Sequence, residues 1–286
     1  MNIKKMFWLL ALAVGPFCHQ GLQADLVGPY GTSPITFDVD ANGLLSATGT
    51  SGTGTLSLSG AGTRMFWYPG KAAFRAGGVN GTQWNDTNIG AASVAFGYDS
   101  LASGSYSVAM GAFTTASGQY STATGNSSTA SGDYSVAMGQ SAIASGLAAT
   151  ALGGGHATGS SATAMGGGSY AVGSNATAMG SAYVDGNGAM GNGGGTTVTA
   201  FDAFAVGTYN VNKDGSGATP NATTWVTTDP LFEIGNGSYT GGRHDALVVY
   251  KNGNATLNGN LSVHNTLYCA AGGDLSMGSF TAGTAP

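Results

Sequence analysis

The chain has 286 residues, 51 of them Gly, with 8 Lys and Arg against 13 Asp and Glu and a formal charge of −5. Charged residues make up 7% where a globular chain carries roughly 25%, and Gly runs well above its usual roughly 7%. With only 7 Pro and no Gly at every third position a collagen helix is excluded; an apolar share of 42% argues against charge-driven disorder, and the acidic balance argues against nucleic acid and anionic membranes as partners.

Residues 1–24 read as a secretory signal peptide. Lys4 and Lys5 precede the apolar run from Met6 to Val14, which is too short for a span of about 20 residues, and Ala24 supplies a small residue at the exit. The mature chain is expected to start at Asp25, with its formal charge moved from −5 to −7 by the loss of two Lys. Cys18 leaves with the leader, and Phe17 before it speaks against lipoprotein processing. Cys269 is then the one remaining thiol, so no intrachain disulfide forms and stability must come from packing or oligomerisation.

Residues 25–92 form a separate compositional segment that includes Met65, Phe66, Trp67, Tyr68, Phe74 and Trp84 together with Arg64, Lys71 and Arg75. A bulky, charged segment suits an N-terminal β-rich cap that stops strand addition at a solenoid end. Asp38, Asp40, Asn42 and Gly43 spell the first half of a calcium loop, but Gly49 stands where a bidentate Glu is needed. A turn between two strands is the expectation there.

Residues 93–207 are repetitive. Gly recurs at Gly97, Gly104, Gly111, Gly118, Gly125, Gly132, Gly139, Gly146 and Gly153, and the unit is fourteen residues: SVAFGYDSLASGSY from Ser93, SVAMGAFTTASGQY from Ser107, STATGNSSTASGDY from Ser121 and SVAMGQSAIASGLA from Ser135. A thirteen-residue unit from Ala149 slips the register, and the signal fades near Gly207. Fixed Gly amid Ser, Thr and Ala excludes a coiled-coil heptad. Short strands turning at glycines with positive φ predict an all-β solenoid, with about eight coils stacked roughly 4.8 Å apart into a rod on the order of 40 Å long.

Alternation puts Val108 and Met110 on one strand face and Ser107 and Ala109 on the other. The expectation is that Val, Met, Leu and Ala fill a thin interior. The row Ala109, Ala116, Ala123, Ala130, Ala137 and Ala144 would then be a smooth outer face for neighbouring subunits, with threefold closure the simplest arrangement. Tyr106, Tyr120 and Tyr134 lie fourteen apart and should form one column. That column reads either as a ladder shielding coil edges or as a candidate ligand-contact ridge.

Residues 208–286 carry hairpin signals at Asp214-Gly215, Asn252-Gly253 and Asn258-Gly259 and are expected to be a small β-rich segment. Nothing along the chain assembles catalytic chemistry. From Ala76 to Asn212 there is no Lys or Arg, and the acids there are Asp86, Asp99, Asp133, Asp185 and Asp202. Arg243, His244 and Asp245 are adjacent, so on a strand they point to opposite faces. His156, His244 and His264 have no spaced metal partners. No catalytic residue, metal or cofactor is expected.

Units of the form SVAMG-x-x-S/T-x-A-S-G-x-Y, over residues 93–207, resemble the head repeats of trimeric autotransporter adhesins, the YadA-like head. The resemblance implies a left-handed parallel β-roll, a homotrimer, export to the bacterial surface or exterior, and attachment to an extracellular protein, a glycan or an abiotic surface. No heptad stalk and no strands of a membrane barrel are recognisable after the repeats, so neither outer-membrane anchoring nor a membrane span in the mature chain is expected. An ice-binding solenoid and a trimeric phage-type fibre segment are the competing readings.

Overall fold

The computed structural model describes residues 36–39, 45–262 and 264. The signal peptide, the turn through Asp40, Asn42 and Gly43, and Cys269 lie outside the described residues. Strands Thr36–Val39 and Leu45–Thr48 pair antiparallel in a sheet of their own. All other strands belong to two walls, a 14-stranded sheet and an 8-stranded sheet. Between them the chain winds as a parallel β-solenoid of about 8 turns.

One coil shows how the repeat folds. Val108–Ala112 is a strand of the long sheet, Phe113 turns the corner with φ 57°, Thr115–Ala116 is a two-residue strand of the short sheet, and Tyr120 turns back with φ 57°. Each strand pairs in parallel with its equivalent one coil on, Val108 with Thr122 and Thr115 with Thr129. Ile143 pairs with His156 and Leu152 with Met165, so thirteen-residue coils sit in the same ladders as the fourteen-residue ones.

The interior reverses the expected faces. Ala95, Ala109, Ala123, Ala137 and Ala151 on the long sheet face Ala102, Ala116, Ala130, Ala144 and Ala157 on the short sheet, all fully buried. Phe96, Met110 and Met138 point outward and are 39–45% exposed. The predicted alternation holds, but the alanine row is the core and not the subunit face. The two walls lie close enough that a methyl group fills the space between them, where sheets bearing large side chains stand about 10 Å apart. Buried Ser residues complete the interior: Ser107 Oγ donates to Gly104 O and Ser121 Oγ to Gly118 O, at 2.7 Å each.

The glycines divide into two kinds. Gly97, Gly111, Gly125 and Gly139 lie within the long strands at φ 109–125°, whereas Gly104, Gly118, Gly132 and Gly146 are at the turn without positive φ. What the turn glycines need is the missing Cβ, which at Gly118 would fall 2.0 Å from Gly132 O. The left-handed corners fall instead on Tyr106, Phe113, Tyr120, Ser127, Tyr134 and Ser141.

At the N-terminal end, Gly62–Tyr68 and Ala73–Val79 form a hairpin whose second strand pairs in parallel with Val94–Tyr98. Arg75 takes the interior position in register with Ala95 and is fully buried. Its Nη2 donates to Ser93 Oγ and Ala102 O, its Nη1 to Phe74 O and Ser93 O, all at 2.8–3.0 Å, and burial pulls its pKa down to about 10. Trp84 Nε1 donates to Ser100 O at 2.8 Å. Trp84 thus satisfies the carbonyl just before the first short strand, Leu101–Ala102, while Arg75 adds a second donor to Ala102 O beside Gly90 N.

The C-terminal end is closed by amides. Asn210 Oδ1 accepts from Thr197 N and its Nδ2 donates to Thr197 O, both at 2.8 Å, as a further strand would. Asn212 Oδ1 likewise accepts from Thr199 N. The long sheet continues past this point, with Phe204–Thr208 parallel to Pro230–Asn236 and then antiparallel Asp245–Tyr250 and Ala255–Leu257.

Candidate interaction surfaces

Three outward features distinguish this chain. The first is the face of the long sheet. Phe96, Met110, Met138, Met190 and Phe204, each 38–45% exposed, alternate with half-buried Val94, Val108, Val136, Leu152 and Met165 and with Thr at intervening coils. No charged residue lies on the five-residue strands from Val94 to Gln140. Sequence reasoning had placed these side chains inside, because Ala and Val are both apolar and periodicity does not say which face is inner.

The second is the tyrosine column. Tyr106 and Tyr120 stack at 4.8 Å with planes 7° apart, and Tyr120 and Tyr134 at 5.1 Å and 11°. Each ring rises from a left-handed residue at φ 57–59°. Isolated L-residues reach that region at a cost of about 1–2 kcal/mol, and each stacked pair returns about 0.5–1.5 kcal/mol.

The third feature is a second aromatic strip that the sequence reading missed. His156, Tyr170 and Tyr183 occupy successive short strands and face outward, with His156 4.6 Å from Tyr170 and Tyr170 6.4 Å from Tyr183. Its signal was present in the units HATG, YAVG and YVDG, at spacings of fourteen and thirteen. Partial burial and the nearby Asp185 carboxylate raise the Tyr183 pKa.

Among the described residues, one buried acidic pair stands out from the other ionisable groups. Glu233 takes the interior position in register with Ala205 and is 2% exposed; burial and the neighbouring Asp245 push its pKa up to about 8. It accepts from Asn210 Nδ2, while its Oε1 has no partner. Asp245 is buried and accepts from Val211 N, whereas His244 is exposed and lies beside Asn236. The adjacent Arg243, His244 and Asp245 thus diverge. Among the described residues no group of three His, Cys, Asp or Glu could hold a metal ion, and no helix is long and apolar enough to cross a membrane.

The family model described as YadA head domain repeat (2 copies) matches four stretches, residues 89–114, 116–142, 130–155 and 157–182. No curated protein is similar enough to the chain to match it. The matched stretch spans about a third of the sequence and coincides with the regular coils of the solenoid. Residues within 89–182 therefore match, and are similar to, YadA head domain repeats.

Proposed function

We propose that this protein is an exported, non-enzymatic adhesin-like molecule whose left-handed β-roll assembles as a homotrimer and presents its remaining outer surface to an extracellular protein, a glycan or an abiotic surface. The observation that carries the reading is the apolar outward face of the long sheet. Nine strands from Val94–Tyr98 to Phe204–Thr208 spaced about 4.8 Å apart make a strip roughly 40 Å long and 10 Å wide, about 400 Å² in area. A patch of that size is comparable to the largest patch of about 300–600 Å² on a typical monomer, which is often functional. Three copies meeting through these strips bury them around one axis, and the thin alanine interior gives each copy a reason to need the others.

The repeat family supports export and an adhesin role, and the leader-like residues 1–24 agree with export. The segment preceding residue 93 serves as the cap and the segment after residue 207 as the exit from the roll. Multi-angle light scattering on the purified chain should report three copies. Met110→Glu combined with Met138→Glu should give single chains with unchanged β-sheet content. A wild-type chain that stays monomeric at high concentration would sink this proposal.

A further inference from the structure

The tyrosine column has two open ends. The left-handed position one coil before Tyr106 is Ala92, and one coil after Tyr134 it is Ala148. Hydrogen bonds from Tyr106 N to Ala91 O, Tyr120 N to Ser105 O, Tyr134 N to Gln119 O and Ala148 N to Asp133 O stack these corners one above another. Tyr120 has a ring on both sides and is 45% exposed; Tyr106 and Tyr134 are 53% and 56% exposed, each with one face beside an alanine. Elsewhere in the column the corner is filled by Ser161, Asn175, Gly188 and Asp202, residues that are small or tolerant of the left-handed region. Three consecutive large rings at a left-handed position, half in water, are the outlier from which a role can be argued.

We propose that Tyr106, Tyr120 and Tyr134 form a docking ridge for a basic protein segment whose arginine guanidinium planes lie on the open faces of Tyr106 and Tyr134. The inference rests on the adhesin reading only in requiring that the ridge stay outside the trimer interface. Charge selects this partner over a neutral one. The roll carries no Lys or Arg between Ala76 and Asn212, while the exposed Asp133 carboxylate directly precedes Tyr134 in the chain, so its field draws cations and offers them no competitor. Arginine fits better than lysine because its planar, weakly hydrated head stacks on aromatic faces and its aliphatic stem can cover apolar surface such as Leu147, which is 53% exposed beside Ala148. Mutual stacking holds the rings in place before the partner arrives, which lowers the ordering cost of binding.

The test uses deca-arginine, deca-lysine and the neutral sugar cellohexaose as probes of the full chain by biolayer interferometry at low salt. Deca-arginine should bind more tightly than deca-lysine. Tyr106→Ala with Tyr134→Ala should weaken deca-arginine by about five- to thirtyfold, the expectation for losing two exposed cation–π contacts, whereas Tyr106→Phe with Tyr134→Phe should keep it. None of these substitutions alters net charge, so a purely electrostatic attraction would be unmoved. Deca-arginine binding that ignores the alanine pair, or cellohexaose binding that depends on it, overturns the proposal. If the alanine pair fails to fold, ring-labelled tyrosine in the wild-type chain decides: deca-arginine should shift the signals of Tyr106 and Tyr134, and silence there refutes the ridge. Light scattering on the same wild-type sample separates the two readings, since intact three-chain assembly without ridge binding removes the ridge alone.

Discussion

Replacing Ala137 by Val tests which face of the repeat is the core. Ala137 is fully buried, with Ala123 and Ala151 above and below it in the ladder and the alanines of the short sheet across the interior. Two additional methyl groups have no void to enter, and forcing extra carbons into a filled core costs about 1–3 kcal/mol. In a chain of this size each kcal/mol moves the midpoint by about 2–4 °C, so Tm should fall by about 2–12 °C. Met138, its neighbour, is 45% exposed, and Met138→Ala should leave the unfolding of a single chain within about 1 kcal/mol of wild type. Its cost should appear in assembly, as a concentration-dependent loss. The assay is thermal unfolding by circular dichroism at several fixed chain concentrations, because self-association shifts apparent stability by mass action. If Ala137→Val were neutral while Met138→Ala cost about 2–5 kcal/mol at every concentration, Met would be the core residue and the face assignment would be wrong.

Gly118→Ala should destabilise far more than Gly217→Ala, measured by urea midpoint, because its Cβ would fall 2.0 Å from Gly132 O whereas Gly217, at φ 86°, has open space around it. Glu233, with its pKa raised from 4.5 to about 8 by burial and Asp245, binds a proton in the folded state that the unfolded chain has released. Its contribution is therefore full below about pH 4.5 and is lost as pH rises towards 8, on the order of a few kcal/mol; Glu233→Gln should flatten the urea midpoint between pH 5 and 8. Asn210→Ala leaves Thr197 N and O without their partner, costing about 1–3 kcal/mol per orphaned group, and the bared strand edge should raise end-to-end aggregation in dynamic light scattering.

The period and the strands could be read from the sequence because they recur in every coil, and the stacked tyrosine rings because three consecutive coils carry them at the same fourteen-residue spacing. Repetition says less about direction. Ala109 and Val108 are both apolar neighbours, and only the distance between the walls decides that the smaller one points inward. The glycine rule was half legible: at Gly118 the demand comes from the next coil's carbonyl, a contact invisible to local conformation. The ends were legible only as β-rich flanks, without the contacts that close them. Arg75, Asn210 and Glu233 each stand once outside the repeat, so no periodicity announces their buried places at its ends.

The mixed coil lengths have a consequence for how such a chain can change over time. Thirteen- and fourteen-residue coils occupy the same ladders, and from Phe204 to Phe232 the long sheet keeps its register across an excursion of two coil lengths. Since the interior asks each coil only for methyl groups and the contact between coils is mostly backbone, a coil can be duplicated or deleted as a cassette without redesigning its neighbours. Each such event would lengthen or shorten the rod by about 4.8 Å while leaving both terminal plugs as they are. Reach is thereby a heritable quantity that can be adjusted in steps, separately from whatever the outer columns are selected to touch.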